Sequence, residues 1–223
     1  MSHSGNGEIP RRGPGRPPVR SDEDTLRLIL DAASQVFRAD GYAGAGMSRV
    51  AQQAGVSTKT LYRLVPTKAD LLRRVIAART RDFVLGADHV DDCADGVQAG
   101  LERLLTQFAT LTLSADVLDV YRLVLSESGR FPEIARTFYE EAIIPTTDAM
   151  AAWLDRQCRA GLIRLEDTRL AAEMLRGMMI LEPQRAAMLR RAPPPTAAEI
   201  AARARACAAR FLGGCLAAGA DKG

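Results

Sequence analysis

The sequence predicts an all-α protein. Hydrophobic residues make up 47% of the 223-residue chain but aromatic residues only 5%, with much alanine and leucine, and this composition favours helices. Apolar residues recur at helical spacing in every segment expected to be ordered, and no alternation of Val, Ile and Thr supports a sheet. The length suits one large or two small domains. We expect a small N-terminal helical unit followed by a larger C-terminal bundle.

Capping signals divide the first third of the chain into four helices. Ser21 opens a capping box before an apolar helical pattern that we expect to end at Asp40-Gly41. Gly55 ends a short second helix, and Thr67 opens the fourth helix with another capping box. The predicted spans are about 22–40, 47–54, 58–64 and 67–85.

The remaining segments are also predicted to be helical. Prolines, among them Pro145 and Pro183, are expected to separate them, and Thr196 caps the last helix. The predicted spans are about 94–113, 116–128, 132–143, 146–160, 167–181 and 196–218.

Charge and cysteine content narrow the class of protein. The N-terminal third is basic and the segment after it is acidic, which indicates a polyanionic partner at one end only. Cys93, Cys158, Cys207 and Cys215 match no disulfide or metal-binding spacing, and no apolar run has the length of a membrane span or signal peptide. We expect a cytoplasmic protein that needs no cofactor and no membrane.

The stretch GVSTKTLYRLVPTKADLL, residues 55–72, follows the second helix with a tight turn and a polar third helix. Two short helices joined by a glycine-containing turn predict a helix-turn-helix at about 46–65. If Val50, Ala51 and Leu61 pack inward, the third helix presents polar residues that suit base edges and phosphates in a major groove. These outward residues are Thr58, Lys59, Thr60, Tyr62 and Arg63, and Lys68 in the next helix start suits a phosphate.

Residues 41–72 resemble the DNA-binding domain of the TetR family of bacterial transcriptional regulators. The resemblance is ungapped, includes Ala54-Gly55-Val56-Ser57 and Leu61-Tyr62, and implies a DNA-binding domain at 21–82. It implies phosphate contacts from Ser48, Thr60, Tyr62 and Lys68, and base contacts from some of Arg49, Thr58, Lys59 and Arg63. Ser57 joins these candidate DNA-binding residues.

The sequence departs from the family pattern at three places. Gly46 replaces the usual Thr or Ser cap of the second helix, and glycine is tolerated there. Lys59 replaces a small residue and adds a positive charge, which we expect to contact a base or a phosphate. Leu64-Val65 replaces an aromatic pair.

Residues 1–20 are rich in Gly, Pro and Arg and are predicted to be a disordered basic arm. Arg11, Arg12 and Arg16 suit a minor groove. The alternative is a solvated tail that adds only nonspecific attraction.

Residues 83–223 are expected to bind an effector and to form a homodimer. Pairing through about 167–181 and 196–218 follows from the apolar stripes of those helices and from the resemblance, although a core within one chain is the alternative. A dimer implies a (pseudo)palindromic double-stranded DNA operator. Residues 126–180 also resemble the AefR-like C-terminal domain. Candidate pocket residues for a small-molecule effector are Phe83, Phe108, Tyr121, Phe138, Met150 and Trp153.

Two other functional classes remain open at this point. An enzyme is disfavoured because no catalytic fingerprint is present, and the cluster of His89, Asp88, Asp91, Asp92 and Cys93 lacks a defined metal-ligand geometry. The favoured function is a sequence-specific repressor released from its operator by an effector. The alternative is an architectural DNA-binding protein without effector control.

Overall fold

Ten α-helices follow one another in the computed structural model, which describes residues 20–88 and 96–214, and no strand occurs in these two ranges. Helices α1 to α4 form the N-terminal part. Their bounds are Asp22–Gly44, Met47–Gln53, Thr58–Leu64 and Lys68–Asp88. The others are α5 (Gly96–Thr112), α6 (Ala115–Glu127), α7 (Pro132–Phe138), α8 (Ile144–Arg159), α9 (Thr168–Met188) and α10 (Ala197–Gly214). A π-helical segment, Tyr139–Ile143, joins α7 to α8.

The predicted helix caps are confirmed by their hydrogen bonds. The Ser21 and Thr67 hydroxyls each accept a bond of 3.0 Å from the backbone N–H three residues later. At the start of α10, Thr196 and Glu199 complete a capping box, with the Thr196 N–H donating to Oε2 of Glu199 at 2.7 Å. Short-range sequence signals therefore set these helix starts.

The straight part of the first helix ends at Asp40-Gly41 as predicted, and one further helical turn follows it. Gly41 has φ of 71° and ψ of 176°, so the straight helix ends at Asp40 and one further turn runs to Gly44 at a new angle. Positive φ is a conformation that glycine adopts without the steric cost of a side chain. The kink directs Tyr42 into the core.

Pro145 and Pro183 do not end their helices, which corrects the predicted breaks. Pro145 lies in the first turn of α8, and Pro183 lies inside α9, which continues to Met188. A proline has no N–H for the carbonyl four residues earlier. Each such carbonyl accepts a bond from another helix instead: Glu141 O from the Thr80 hydroxyl at 3.0 Å, and Met179 O from Nε of Arg203 at 2.8 Å.

Two hydrophobic cores share α4. The first core packs Leu71, Leu72, Val75 and Ile76 of α4 against α1, α2 and α3, and includes side chains of α6 and α7. The second core packs Phe83 and Ala87 of α4 against α5, α8, α9 and α10. One helix therefore connects the helix-turn-helix to the C-terminal bundle.

Across the two described ranges, no helix combines the length and apolar character that crossing a lipid bilayer requires.

Candidate nucleic-acid interface

Helices α2 and α3 form the predicted helix-turn-helix. The two helices pack through Val50 and Ala51 of α2 and Leu61 of α3, which are all buried in the first core. Gly55 between them has φ of 66°, and the N–H of Val56 donates to the Ala51 carbonyl at 3.0 Å. The small Ala51 and the left-handed glycine allow the chain to reverse within a few residues.

Local hydrogen bonds fix the start of α3. Ser57 is its N-cap, and the hydroxyl accepts from the N–H of Thr60 at 3.0 Å. The Ser57 and Thr60 hydroxyls are also 2.8 Å apart. Glycine caps α2 without a side-chain bond, as expected for Gly46. The first turn of α3 is thus held in place before any partner binds.

The structure describes all nine predicted DNA-binding residues of this unit. Most of them are exposed, and Tyr62 keeps 48% of its surface accessible. Leu64 is partly buried against the first core. The exposed members are Ser48, Arg49, Ser57, Thr58, Lys59, Tyr62 and Arg63, whereas Thr60 and Lys68 are half-buried.

Both arginines of this surface are paired with acids of α1. Nη1 of Arg49 lies 2.6 Å from Oδ2 of Asp40. Arg63 donates to both carboxylate oxygens of Asp22, at 2.6 and 2.7 Å. The hydrogen bond and charge of Arg63 hold the pKa of Asp22 below its ordinary value. Sequence reasoning missed both acids, because their position beside α2 and α3 depends on how α1 packs.

Lys59 is the cation of α3 that has no hydrogen-bond or ion-pair partner within the described residues. Its ammonium is exposed two residues after the N-cap. It can donate to a base edge or a phosphate without first breaking an existing pair. Among the cations of this surface that the structure describes, Lys59 is therefore the one that can bind DNA without giving up a contact inside the protein.

Lys68 already has partners inside the protein. Its ammonium donates to the carbonyls of Tyr42 and Ala43, at 2.8 and 3.3 Å, and lies 4.8 Å from the centre of the Tyr42 ring. These contacts join the start of α4 to the kinked end of α1. A phosphate contact from Lys68 stays a prediction, and the structure gives this residue a structural role as well.

Arg11, Arg12 and Arg16 of the predicted arm lie outside the described residues, as do His89, Asp91, Asp92 and Cys93; the side chain of Asp88 is also not described. Among the side chains that are described, no group of three or more His, Cys, Asp and Glu is arranged to hold a metal.

A cavity of about 50 Å³ lies between helices α4 to α9 and the π-helical segment. Of the predicted pocket residues, Phe108 and Phe138 line it. Phe83 packs against Phe108, and Tyr121 stacks on Phe138 with ring centres 5.3 Å apart. Met150 and Trp153 do not line the cavity but are fully buried in the second core. Their apolar helical spacing suited both roles, and packing decides between them.

Sequence reasoning also missed Arg176, which lines this cavity from α9. One nitrogen, Nη1, donates to the hydroxyls of Thr146 and Thr147, at 2.5 and 2.9 Å, and to the Ile143 carbonyl at 3.1 Å. Burial lowers the pKa of the guanidinium, although the charges of Glu173 and Tyr139 oppose the shift. No residue motif marks such a position.

The stripes predicted to form a dimer interface divide into two sets. Leu175 and Met179 of α9, and Ile200, Ala204, Cys207, Ala208 and Leu212 of α10, are buried within the chain. Leu170, Met174 and Leu181 are instead 48%, 56% and 54% exposed. The first set is intrachain core, and the second leaves an apolar face on α9.

Comparison with known families agrees with both parts of the fold. Residues 29–75 match the family described as bacterial regulatory proteins, tetR family. Residues 99–214 match the AefR-like transcriptional repressor C-terminal domain, which agrees with the resemblance seen in residues 126–180.

Individual relatives are also transcriptional regulators. The chain is 36% identical over 115 residues to the HTH-type transcriptional repressor DrrR1 of Streptomyces coeruleorubidus, a match that covers 48% of this chain and 42% of the relative. The chain thus spans less than half the length of the curated relatives it matches.

Two solved structures cover nearly the whole fold. A TetR-family regulator from Mesorhizobium loti is 25% identical, with a TM-score of 0.77 and coverage of 89% of this chain and 100% of the other. The flavonoid-responsive regulator FrrA is 27% identical, with a TM-score of 0.65 and coverage of 88% and 99%.

Proposed function

Because the chain belongs to the TetR family of bacterial regulatory proteins, we propose that it is a homodimeric repressor released from its operator by a small molecule. The family and the matched relatives are transcriptional regulators, not enzymes. The proposal assigns DNA binding to residues 21–82 and effector binding and dimerisation to residues 83–223.

The observation that carries the proposal is the exposed face of α3. Thr58, Lys59 and Tyr62 lie on a helix whose opposite face is locked into the core by Leu61. A rigid helix with hydroxyl, ammonium and phenol groups on its outer side fits a major groove. Ser48 and Arg49 of α2 extend this face with groups that suit the phosphates on either side.

A dimer is supported by the apolar face of α9. Leu170, Met174 and Leu181 recur at helical spacing and are about half exposed. The neighbouring helix α10 presents the small side chains of Ala202, Ala206 and Ala209 to the outside, which permit close approach of a second helix pair. Burying both faces in a two-fold dimer would present two α3 helices to successive half-sites, about 34 Å apart or a multiple of that spacing.

Helix α4 supplies a physical connection between the cavity and the DNA-binding surface. Val75, Ile76 and Thr80 of α4 line the cavity, and Lys68 at its start holds the turn of α1 that contains Tyr42. A ligand that widens the cavity displaces α4 and thus alters the separation of the two α3 helices. Such a ligand lowers operator affinity by as much as it prefers the displaced state. The name of the relative FrrA, flavonoid-responsive, supports control by a small molecule.

The test starts with selection of bound fragments from genomic DNA, followed by affinity measurements on the best fragment and on random DNA of equal length. We expect tight binding of the selected fragment and a loss of about 1–3 kcal/mol in Lys59→Met. Arg191→Met, which removes a cation between α9 and α10, should change the affinity little. Equal affinity for selected and random DNA would instead support the architectural alternative.

The effector is tested by titrating the bound operator with small molecules that raise the melting temperature of the protein. At least one of them should weaken operator binding. If every stabilising compound leaves operator affinity unchanged, control by an effector is wrong while DNA recognition stands.

A further inference from the structure

We propose that the cavity under α4 takes a small amphipathic carboxylic acid, with the carboxylate bound by Arg176 and the apolar body lying against α4, α5 and α6. The inference deepens the proposed function, because the bound acid would be the effector.

The guanidinium of Arg176 has an unused edge. All three of its hydrogen bonds come from Nη1, so Nε and Nη2 have no hydrogen-bond partner among the residues that the structure describes. These two nitrogens donate side by side, in the fork geometry that pairs with both oxygens of a carboxylate. Three protein bonds fix the plane of the group and leave that fork available.

Arg176 also lacks an ion-pair partner among the described residues, although the more distant charge of Glu173 acts on it. Within residues 20–88 and 96–214, no carboxylate lies within ion-pair distance of it: Glu173 is engaged 3.7 Å from Arg169, and Asp148 also pairs with Arg169. The Phe108 ring, 5.0 Å from the guanidinium carbon, offers a weaker contact. Partial burial of a cation without an anion is unfavourable, and a bound carboxylate relieves it.

The remainder of the cavity selects for the rest of the ligand. Arg176 and Arg79 are the charged residues of its lining, which contains no acid among the described side chains. Arg79 already lies 3.5 Å from Asp116. The other lining residues are mainly apolar, including Val75, Leu111, Val117 and Phe138. A cation without an ion pair at one wall and mainly apolar side chains at the others fit an acid head and an apolar body.

Size adds a mechanical consequence. A cavity of about 50 Å³ accommodates a head group or a few water molecules, so a longer apolar body has to move the walls apart. Two polar contacts join α4 to the π-helical segment in this wall: the bond from the Thr80 hydroxyl to Glu141 O, and the ion pair of Arg73 with the Glu141 carboxylate at 3.8 Å. The bound acid therefore acts on the helix that leads to the DNA-binding surface.

The experiment uses the full chain and measures binding of butanoate, hexanoate and octanoate by calorimetry and by melting temperature, with methyl octanoate and octylamine for comparison. We expect affinity to rise roughly fourfold for each added methylene group that is buried. The ester and the amine should bind at least about tenfold more weakly than octanoate, because they lack the paired charge.

Arg176→Gln should weaken octanoate binding by about 10- to 100-fold, and Arg176→Lys, which keeps the charge but not the fork, should lie between it and the parent. Arg169→Gln is the matched control: it removes an arginine of the same helix outside the cavity and should leave octanoate affinity within about threefold. Circular dichroism checks that each variant is folded. If Arg176→Gln is unfolded, the octanoate affinity of Arg176→Lys is used to test the proposal.

The proposal is overturned if none of the acids binds, if the ester matches the acid, or if both Arg176 variants bind octanoate normally. Operator binding separates it from the proposed function. Octanoate that binds through Arg176 without releasing DNA contradicts effector control only, whereas release by neutral compounds alone contradicts the carboxylate site only.

Discussion

Asp22 holds the guanidinium of Arg63 through two hydrogen bonds of 2.6 and 2.7 Å, across 41 positions of sequence. The first turn of α1 thereby sets the direction of an arginine on the predicted recognition helix. Both side chains are exposed, so the pair contributes little to stability. On the proposed function we expect its effect to fall on DNA binding, because the Asp22 carboxylate would compete with the operator for Arg63.

Asp22→Asn should raise operator affinity by about two- to fivefold, the range expected for releasing an exposed ion pair. Asp24→Asn is the control. Asp24 lies two residues from Asp22 and carries the same charge, but it pairs with Arg27 and not with Arg63. Operator titrations at several salt concentrations measure both. An equal gain in operator affinity from the two variants would show that the gain comes from the loss of any negative charge and not from the release of Arg63.

Lys68 and Lys59 should separate stability from DNA binding. Lys68→Met removes bonds to two carbonyls and a contact with the Tyr42 ring, and we expect a loss of about 1–3 kcal/mol in the free energy of unfolding. Lys59→Met removes an unpartnered exposed ammonium, so its unfolding free energy should change by less than about 0.5 kcal/mol. Urea denaturation measures both, and equal destabilisation would contradict the different roles.

Arg203 and Pro183 should be energetically coupled. Arg203 donates to the Met178 and Met179 carbonyls, so Arg203→Met should cost about 1.5–3 kcal/mol. Pro183→Ala restores an N–H that can donate to Met179 O. In a protein that already carries Pro183→Ala, the change Arg203→Met should therefore lower the free energy of unfolding by clearly less. A double-mutant cycle measures the coupling. Strict additivity would show that Arg203 does not compensate for the proline.

The exposed face of α9 should control the oligomeric state. Met174→Glu places a charge among Leu170, Met174 and Leu181 and should raise the dimer dissociation constant by at least about 100-fold, because an unpaired charge is costly to bury. Leu162→Glu changes a similarly exposed leucine before α9. Sedimentation equilibrium distinguishes the two, and a dimeric Met174→Glu would place the interface elsewhere.

Sequence patterns predicted the structural features that depend only on residues close together in the chain. Ser21, Thr67 and Thr196 cap their helices because the acceptor and donor lie three positions apart, and the helix-turn-helix follows from spacing around Gly55. Pro145 and Pro183 misled the prediction, because Thr80 and Arg203 satisfy the affected carbonyls from distant helices. The pairing of Arg63 and the exposed edge of Arg176 likewise depend on tertiary packing, which periodicity does not contain.

The position of Ile200, Ala204 and Leu212 in the second core has a consequence during synthesis. Residues 29–138 supply the first core, so that half can condense while later codons are still being read. The bundle cannot close until α10 has left the ribosome, since α5 and α9 pack against it. Termination of translation near codon 196 would leave a chain that carries its helix-turn-helix but lacks the finished bundle through which we propose that it pairs.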